Sequence, residues 1–199
     1  MKRIDLSQKE IVLDILVQAF ADNKSVNYVV KQDRNRLQRI RSLMNYSFNV
    51  CNAFGDVWLA ENEQACALVL YPEKKRTTLR SIVWDVRLCF SAIGLGRLNK
   101  VLARESKVKS FHPGEPFCYL WFIGVNTVAQ RQGTGSELLK EIINQSDREG
   151  KSICLETSVE KNLPWYAKHG FEIFQTLDIG YLLYMLRREQ SILPSGDKQ

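Results

Sequence analysis

Apolar positions along the chain fall into blocks of two periods, about 3.6 residues and two residues, and the order of these blocks predicts the fold. Ile11, Val12, Ile15, Leu16, Ala19 and Phe20 recur at helical spacing behind a capping box of Ser7 and Glu10, so an amphipathic helix opens the chain. The polar run from Ala21 to Ser25 breaks it. A second helix starts near Asp33 and carries Leu37, Ile40, Met44 and Phe48 on one face. Residues 57–60 and 65–71 read as strands on either side of Glu61-Asn62-Glu63-Gln64, which predicts an antiparallel hairpin. Leu79, Ile82, Val83, Val86, Cys89 and Phe90 return to the helical period, and a shorter helix runs from beyond Gly96 to about Glu105.

The second half alternates strand and helix. The loop from Phe111 to Pro116 leads into a strand over 118–125, and a helix follows over 133–148 with Leu138, Leu139, Ile142 and Ile143 as its buried stripe and Gly150 as its stop. After this crossover, Ile153, Cys154 and Leu155 predict a short strand parallel to the previous one. Asn162 stands at the start of a two-turn helix that tolerates Pro164 in its first turn and ends at Gly170. The last strands cover 171–174 and 179–186. No repeat, linker or low-complexity run divides the sequence, which predicts one domain over 1–188 and a flexible tail over 189–199.

Composition narrows the classes. With 199 residues, 45% hydrophobic and 25% charged, the chain is long enough for a full core. Lys2 and Arg3 begin the sequence, but Asp5, Lys9, Glu10 and Asp14 interrupt any leader-like apolar run and no segment approaches membrane-spanning length, so a cytoplasmic protein without a membrane partner is expected. The five cysteines, Cys51, Cys66, Cys89, Cys118 and Cys154, are odd in number and widely spaced, which predicts buried thiols; no metal is expected. A net charge of +6, spread along the chain with Lys74-Lys75-Arg76 as the densest run, reads as a solvated face and not as a nucleic-acid site. Gly94-Leu95-Gly96 follows a helix, not a strand, and reads as a stop.

The chemistry concentrates in Gln130-Arg131-Gln132-Gly133-Thr134-Gly135, a glycine-rich turn between an apolar strand and a helix start. Unpaired N–H groups and the positive end of the dipole make such a turn an anion site, so a phosphate-bearing cofactor is the first reading; a purely structural turn is the other. With this Gln-x-x-Gly-x-Gly turn behind Phe122-Ile123-Gly124-Val125, and Asn162-Leu163-Pro164-Trp165-Tyr166 and Gly170-Phe171 about thirty residues later, the chain resembles the GNAT superfamily of acetyl-CoA-dependent N-acetyltransferases. Ala19-Phe20-Ala21-Asp22, Val57-Trp58-Leu59-Ala60, Glu115-Pro116 and Leu155-Glu156-Thr157-Ser158 are most like puromycin N-acetyltransferase and related small-molecule acetyltransferases. Asn23 stands where puromycin N-acetyltransferase has a tyrosine at its acceptor site, and Asn126-Thr127-Val128 lacks the proline often found before the phosphate turn.

The resemblance implies an α/β (α+β) GNAT fold, a mixed central sheet splayed between its fourth and fifth strands and flanked by helices, with a bulge at or near Gly124. It implies that the backbone of Ile123, Gly124 and Val125 pairs with the pantetheine arm of acetyl-CoA and that N–H groups from Gln130 to Ser136 hold the pyrophosphate, with Arg131 adding a charge-assisted contact. Tyr166 is the implied general acid for the departing thiolate, against a plain packing role. The family's glutamate before the phosphate turn is missing from Tyr119-Leu120-Trp121-Phe122-Ile123, so Glu156 stands as base or ammonium site, with an ordinary salt bridge as the alternative. Asn162 bonds the coenzyme, caps its helix, or does both. His169 suits the C-terminal dipole of that helix. His112 sits in a loop that borders the acceptor side, and Trp58, Trp84, Trp121 and Trp165 read as packing.

The expected activity is acetyl transfer to a primary amine of a small molecule by direct attack on the thioester. A protein or peptide N-acetyltransferase and a non-catalytic acetyl-CoA-binding module are the alternatives, and either a monomer or a homodimer is compatible with the sequence.

Overall fold

The computed structural model describes residues 2–4 and 6–191. Its frame is a seven-stranded mixed sheet in the order β1-β2-β3-β4-β5-β7-β6. The strands are β1 (Lys2–Arg3), β2 (Gly55–Leu59), β3 (Ala65–Leu70), β4 (Phe117–Val125), β5 (Ser152–Thr157), β6 (Glu172–Asp178) and β7 (Leu182–Arg188). Among the described residues only β4 and β5 run parallel, and the fifteen-residue helix between them is the crossover that a parallel pair requires.

Among the described residues seven α-helices cover the sheet: α1 (Lys9–Phe20), α2 (Lys24–Val29), α3 (Arg36–Phe54), α4 (Leu79–Leu88), α5 (Leu98–Lys109), α6 (Thr134–Arg148) and α7 (Leu163–Ala167). β3 lies near the middle and is buried at all six positions, so its apolar run serves both faces. Cys66, Leu68 and Leu70 meet Val12, Leu16, Met44 and Phe48 of α1 and α3 on one face. Ala65, Ala67 and Val69 share the other core with Leu138, Leu139, Ile142 and Ile143 of α6. A third cluster joins Val108 of α5 to Leu177, Leu183 and Met185 of β6 and β7.

Several details differ from the sequence expectations. The Ser7/Glu10 box does not cap α1, whose N-cap is Gln8 without a side-chain hydrogen bond, because Leu6–Gln8 is already wound as a 3-10 turn. The polar stretch read as a break instead starts α2, with Asn23 Oδ1 accepting from the Val26 N–H at 3.0 Å. Leu37 is exposed although Ile40, Met44 and Phe48 are buried. Glu105 does not end α5, which continues to Lys109. Of the predicted tail, 192–199 lies outside the described residues, while Arg188 pairs with Asp147 at 2.7 and 3.0 Å and the Ser191 N–H donates to the same carboxylate, so the start of the tail is held on α6. The five cysteines carry free thiols, four of them buried.

Candidate active site

β4 and β5 are hydrogen-bonded only from Phe117 to Tyr119 against Ser152 to Cys154 and then diverge. Beyond Tyr119 the edge of β4 that faced β5 is unpaired, while its other edge stays on β3 as far as Val125. The divergence accompanies a bulge. Leu68 pairs with Phe122 and Val69 with Leu120, which leaves Trp121 as the extra residue. The sequence reading placed this bulge at or near Gly124, but Gly124 has another duty: a methyl group there would come within 3.2 Å of Leu16 Cδ2 and 3.3 Å of Ala19 Cβ, so this glycine lets α1 cross the strand.

The turn from Gln130 to Gly135 follows the diverging strand. Arg131 and Gly133 both hold left-handed φ, +64° and +89°, and Gly133 is the N-cap of α6. The Ser136 and Glu137 N–H groups donate back to the Gly133 carbonyl, and Gln132 Nε2 donates to the Val128 carbonyl at 3.1 Å. Arg131, Gln132, Gly133, Thr134 and Gly135 have no intramolecular acceptor for their backbone N–H groups among the described residues. Five consecutive unsatisfied donors at a helix start form a cradle for a polyanion. The cradle is close-packed from behind, since a methyl group on Gly135 would reach 3.0 Å from Val125 Cγ2. A pyrophosphate-bearing ligand fits these residues.

α7 closes the opposite side. Trp165 Nε1 donates to Ser136 Oγ at 2.8 Å, which ties α7 to the first turn of α6, and the Trp165 ring meets Tyr166 edge-on at 4.7 Å. Tyr166 is buried against Phe171 on the α6 face of the sheet, and its hydroxyl makes no hydrogen bond to another described residue. Burial raises the tyrosine pKa, so the hydroxyl keeps its proton through neutral pH. Asn162 does hold the N-cap position of α7 but makes no capping bond with its side chain. His169 Nδ1 lies 2.8 Å from the Trp165 carbonyl, so its ring serves the helix end.

Glu156 extends β5 past the point of divergence. Because Ile153 and Leu155 face the α6 core, strand alternation sends Glu156 to the opposite face, and its side chain is only 7% exposed. There His112 Nε2 lies 3.0 Å from Oε1 and the Tyr119 hydroxyl donates to Oε2. Burial, and then the Glu156 charge, hold Tyr119 well above its ordinary pKa, which keeps it a donor. Neither partner was identified from the sequence, since 44 and 37 residues separate them from Glu156.

A second polar group adjoins the first. Arg104 of α5 donates to Ser25 Oγ at 2.7 Å and to the Tyr181 hydroxyl at 3.1 Å, and it pairs with Glu105. Burial alone would lower its pKa, but Glu105 and Tyr181 outweigh burial and raise it. The Ser25 N–H reaches Ser158 Oγ at 3.3 Å, two residues beyond Glu156, so α2, α5, β5 and the β6–β7 turn are tied together over this end of the sheet. No signal in the sequence marked Ser25, Arg104 or Tyr181.

The GNAT acetyltransferase domain family matches residues 53–173, which include the diverging strands, the anion cradle and α7. Solved structures agree in fold. A protein from Corynebacterium glutamicum described as histone acetyltransferase HPA2 and related acetyltransferase superposes with a TM-score of 0.68 over 98% of this chain and 97% of that one, at 17% identity. Mosquito arylalkylamine N-acetyltransferase like 5b gives 0.60 over 94% and 98% at 14% identity, and the ribosomal-protein-S18-alanine N-acetyltransferase of Escherichia coli gives 0.53 over 100% and 97% at 12%. With the matched segment building the very cleft described above, the chain belongs to the GNAT family and is an acetyl-CoA-dependent acetyltransferase.

Proposed function

We propose that the protein transfers the acetyl group of acetyl-CoA to a primary amine of a small molecule, as a single-domain cytoplasmic enzyme that acts as a monomer or homodimer. The observation that carries this reading is the opening between β4 and β5, with five unsatisfied N–H groups at one end and Tyr166 and Glu156 approaching from opposite faces. Residues 131–135 and Ser136 hold the pyrophosphate with Gln130 at the start of the turn, the free edge of β4 at Ile123, Gly124 and Val125 receives the pantetheine amides, and Asn162 adds a hydrogen bond from the α7 side. Acetyl-CoA supplies an activated acyl group on sulfur.

The protein's part is positioning and proton handling. Glu156, fixed by His112 and Tyr119, binds the acceptor ammonium and takes a proton from it, directly or through water. The neutral amine nitrogen then forms its bond to the acetyl carbon as the carbon–sulfur bond breaks, the Tyr166 hydroxyl gives its proton to the departing thiolate, and the second proton of the acylated nitrogen returns through water to the Tyr166 oxygen, leaving the neutral amide and thiol. A backbone N–H near Gly124 or Val125 polarises the thioester carbonyl. The tie among Ser25, Arg104 and Tyr181 supports a small acceptor over a peptide, because it joins α2, α5 and the β6–β7 turn next to the end of β5 that carries Glu156, where a through-running chain would have to part them.

An amine panel with acetyl-CoA, read as released thiol, tests the proposal. Turnover with small primary amines and none with peptide N-termini is expected. Turnover of peptides alone would select the peptide reading, and coenzyme binding without thiol release would leave a binding module.

A further inference from the structure

The insert between the hairpin and β4 differs in character from the rest of the molecule. From Lys74 to Lys109 it holds ten Lys or Arg against two Asp or Glu, a net charge of +8, in a chain whose total is +6. The remainder is therefore slightly acidic. Among the described residues, Arg104 alone of these ten makes an ion pair. The basic residues that look scattered in the sequence are concentrated in one structural segment.

α4 begins this segment and is turned inside out relative to its periodicity. Ser81, Trp84 and Leu88 face the body of the protein, and Asp85 accepts from the Tyr46 hydroxyl of α3 at 2.7 Å. Leu79, Ile82, Val83, Val86 and Phe90, at offsets of 0, 3, 4, 7 and 11, form one continuous stripe on the outer side. Their exposure is high: 85% for Leu79, 63% for Val83 and 64% for Phe90. Arg80 and Arg87 border the stripe one turn pair apart, and the exposed Lys74-Lys75-Arg76 precedes its first residue. The helix is firmly set, with a complete capping box between Thr78 and Ser81. A capped helix that, with its continuation to Phe90, turns five large apolar side chains to solvent marks an interaction surface.

We infer that α4 and the π-helical turn Cys89–Ile93 that continues it lie on an anionic lipid surface, with the Leu, Ile and Val side chains of α4 and Phe90 of the turn in the acyl boundary and the neighbouring Lys and Arg at the headgroups. An apolar stripe flanked by cations is the pattern of an interfacial helix, and long basic side chains reach the headgroups while their stems stay among apolar groups. The stripe consists of aliphatic and aromatic side chains alone, so a fluid apolar surface suits it better than a polar protein groove. A second copy of the chain would bring two segments of charge +8 together. Nucleic acid would meet the charge but not the aliphatic ridge. The sequence reading expected no membrane partner because it tested only for spanning segments, and a helix lying flat needs no such length. The inference is independent of the acetyl-transfer reading.

Vesicle co-sedimentation of the full chain tests it. Binding is expected to mixed phosphatidylcholine–phosphatidylserine vesicles, with little to phosphatidylcholine alone and a steep loss with added salt. Val83→Asp together with Phe90→Asp should abolish it, and Arg80→Glu with Arg87→Glu should weaken it roughly tenfold or more. All four side chains are exposed, so circular dichroism should report an unchanged fold for both variants. Absence of binding to the mixed vesicles, or equal binding by the Asp variant, overturns the inference. So does concentration-dependent dimerisation by light scattering that disappears in the Asp variant, which would assign the ridge to a second copy.

Discussion

Replacing Tyr166 by phenylalanine separates chemistry from structure more sharply than any other single change at the site. The hydroxyl has no hydrogen-bond partner among the described residues, whereas the ring packs edge-on against Trp165 at 4.7 Å and Phe171 at 5.7 Å. Removing the oxygen alone leaves that packing intact and frees no buried partner, so the unfolding free energy should change by less than about 0.5 kcal/mol. By contrast, Tyr166→Ala would empty the ring site and cost about 3–5 kcal/mol. If the hydroxyl protonates the leaving thiolate, its loss should lower kcat by roughly 10² to 10⁴, or about 3–5 kcal/mol of barrier, with KM for the coenzyme nearly unchanged. Because burial keeps the wild-type hydroxyl protonated well past neutrality, the deficit should be uniform across neutral pH. Three measurements on one preparation decide the matter: thiol release at saturating amine, coenzyme affinity by calorimetry, and chemical denaturation. Full activity refutes the acid role, and a loss that tracks coenzyme affinity or stability reassigns Tyr166 to packing.

Three further outcomes are expected. Glu156→Gln keeps the shape of the side chain but removes its charge, so kcat/KM should fall by roughly 10² or more with the coenzyme still bound; His112→Asn should show a smaller loss in the same amine assay. Gly133→Ala forces a methyl group onto a residue at φ +89° and should cost about 1–2 kcal/mol or shift the cradle, seen as weaker coenzyme affinity in calorimetry with the amine dependence of the rate unaltered. Asp147→Ala breaks the bidentate pair with Arg188 and should cost about 2–3 kcal/mol by denaturation at pH 7. Burial alone would raise the Asp147 pKa, but Arg188 and the Ser191 N–H hold it below its ordinary value. Its stabilisation is therefore complete above roughly pH 4 and disappears as pH falls through the depressed folded value, so the variant and the parent should converge in acid.

Most of the architecture was legible because it rests on local signals. The order hairpin, strand, glycine turn, helix, strand, short helix and two closing strands follows from periodicity and punctuation, as does the parallel direction of β4 and β5, but not their register. What escaped were matters of direction and distance. Six residues of α2 are too few to display a period, and its start at Asn23 is made by one side chain in a stretch that resembles a break. The spacing of Leu79, Ile82, Val83, Val86 and Phe90 specifies a helix but not which way the stripe points, and here Trp84 rather than the stripe faces inward. Gly124 was recognised as special for the wrong reason, since the contact that demands a glycine comes from α1, more than a hundred residues earlier. At the site, Tyr166, Glu156 and the anion turn were found from spacing and resemblance. Tyr119, His112 and Arg104 join them only through the fold, because each hydrogen bond spans distant segments.

The divergence of β4 from β5 also has a mechanical side. Three residue pairs are all that stitch an antiparallel half-sheet of β1 to β4 to another of β5 to β7, and the seam lies in the middle of the molecule. Amide hydrogens along the open edge past Tyr119 lack the shelter of a neighbouring strand, so exchange there should be fast in the empty protein, with the two halves protected as separate blocks. Any molecule that hydrogen-bonds across the gap acts as a splint and should slow exchange on both flanks together.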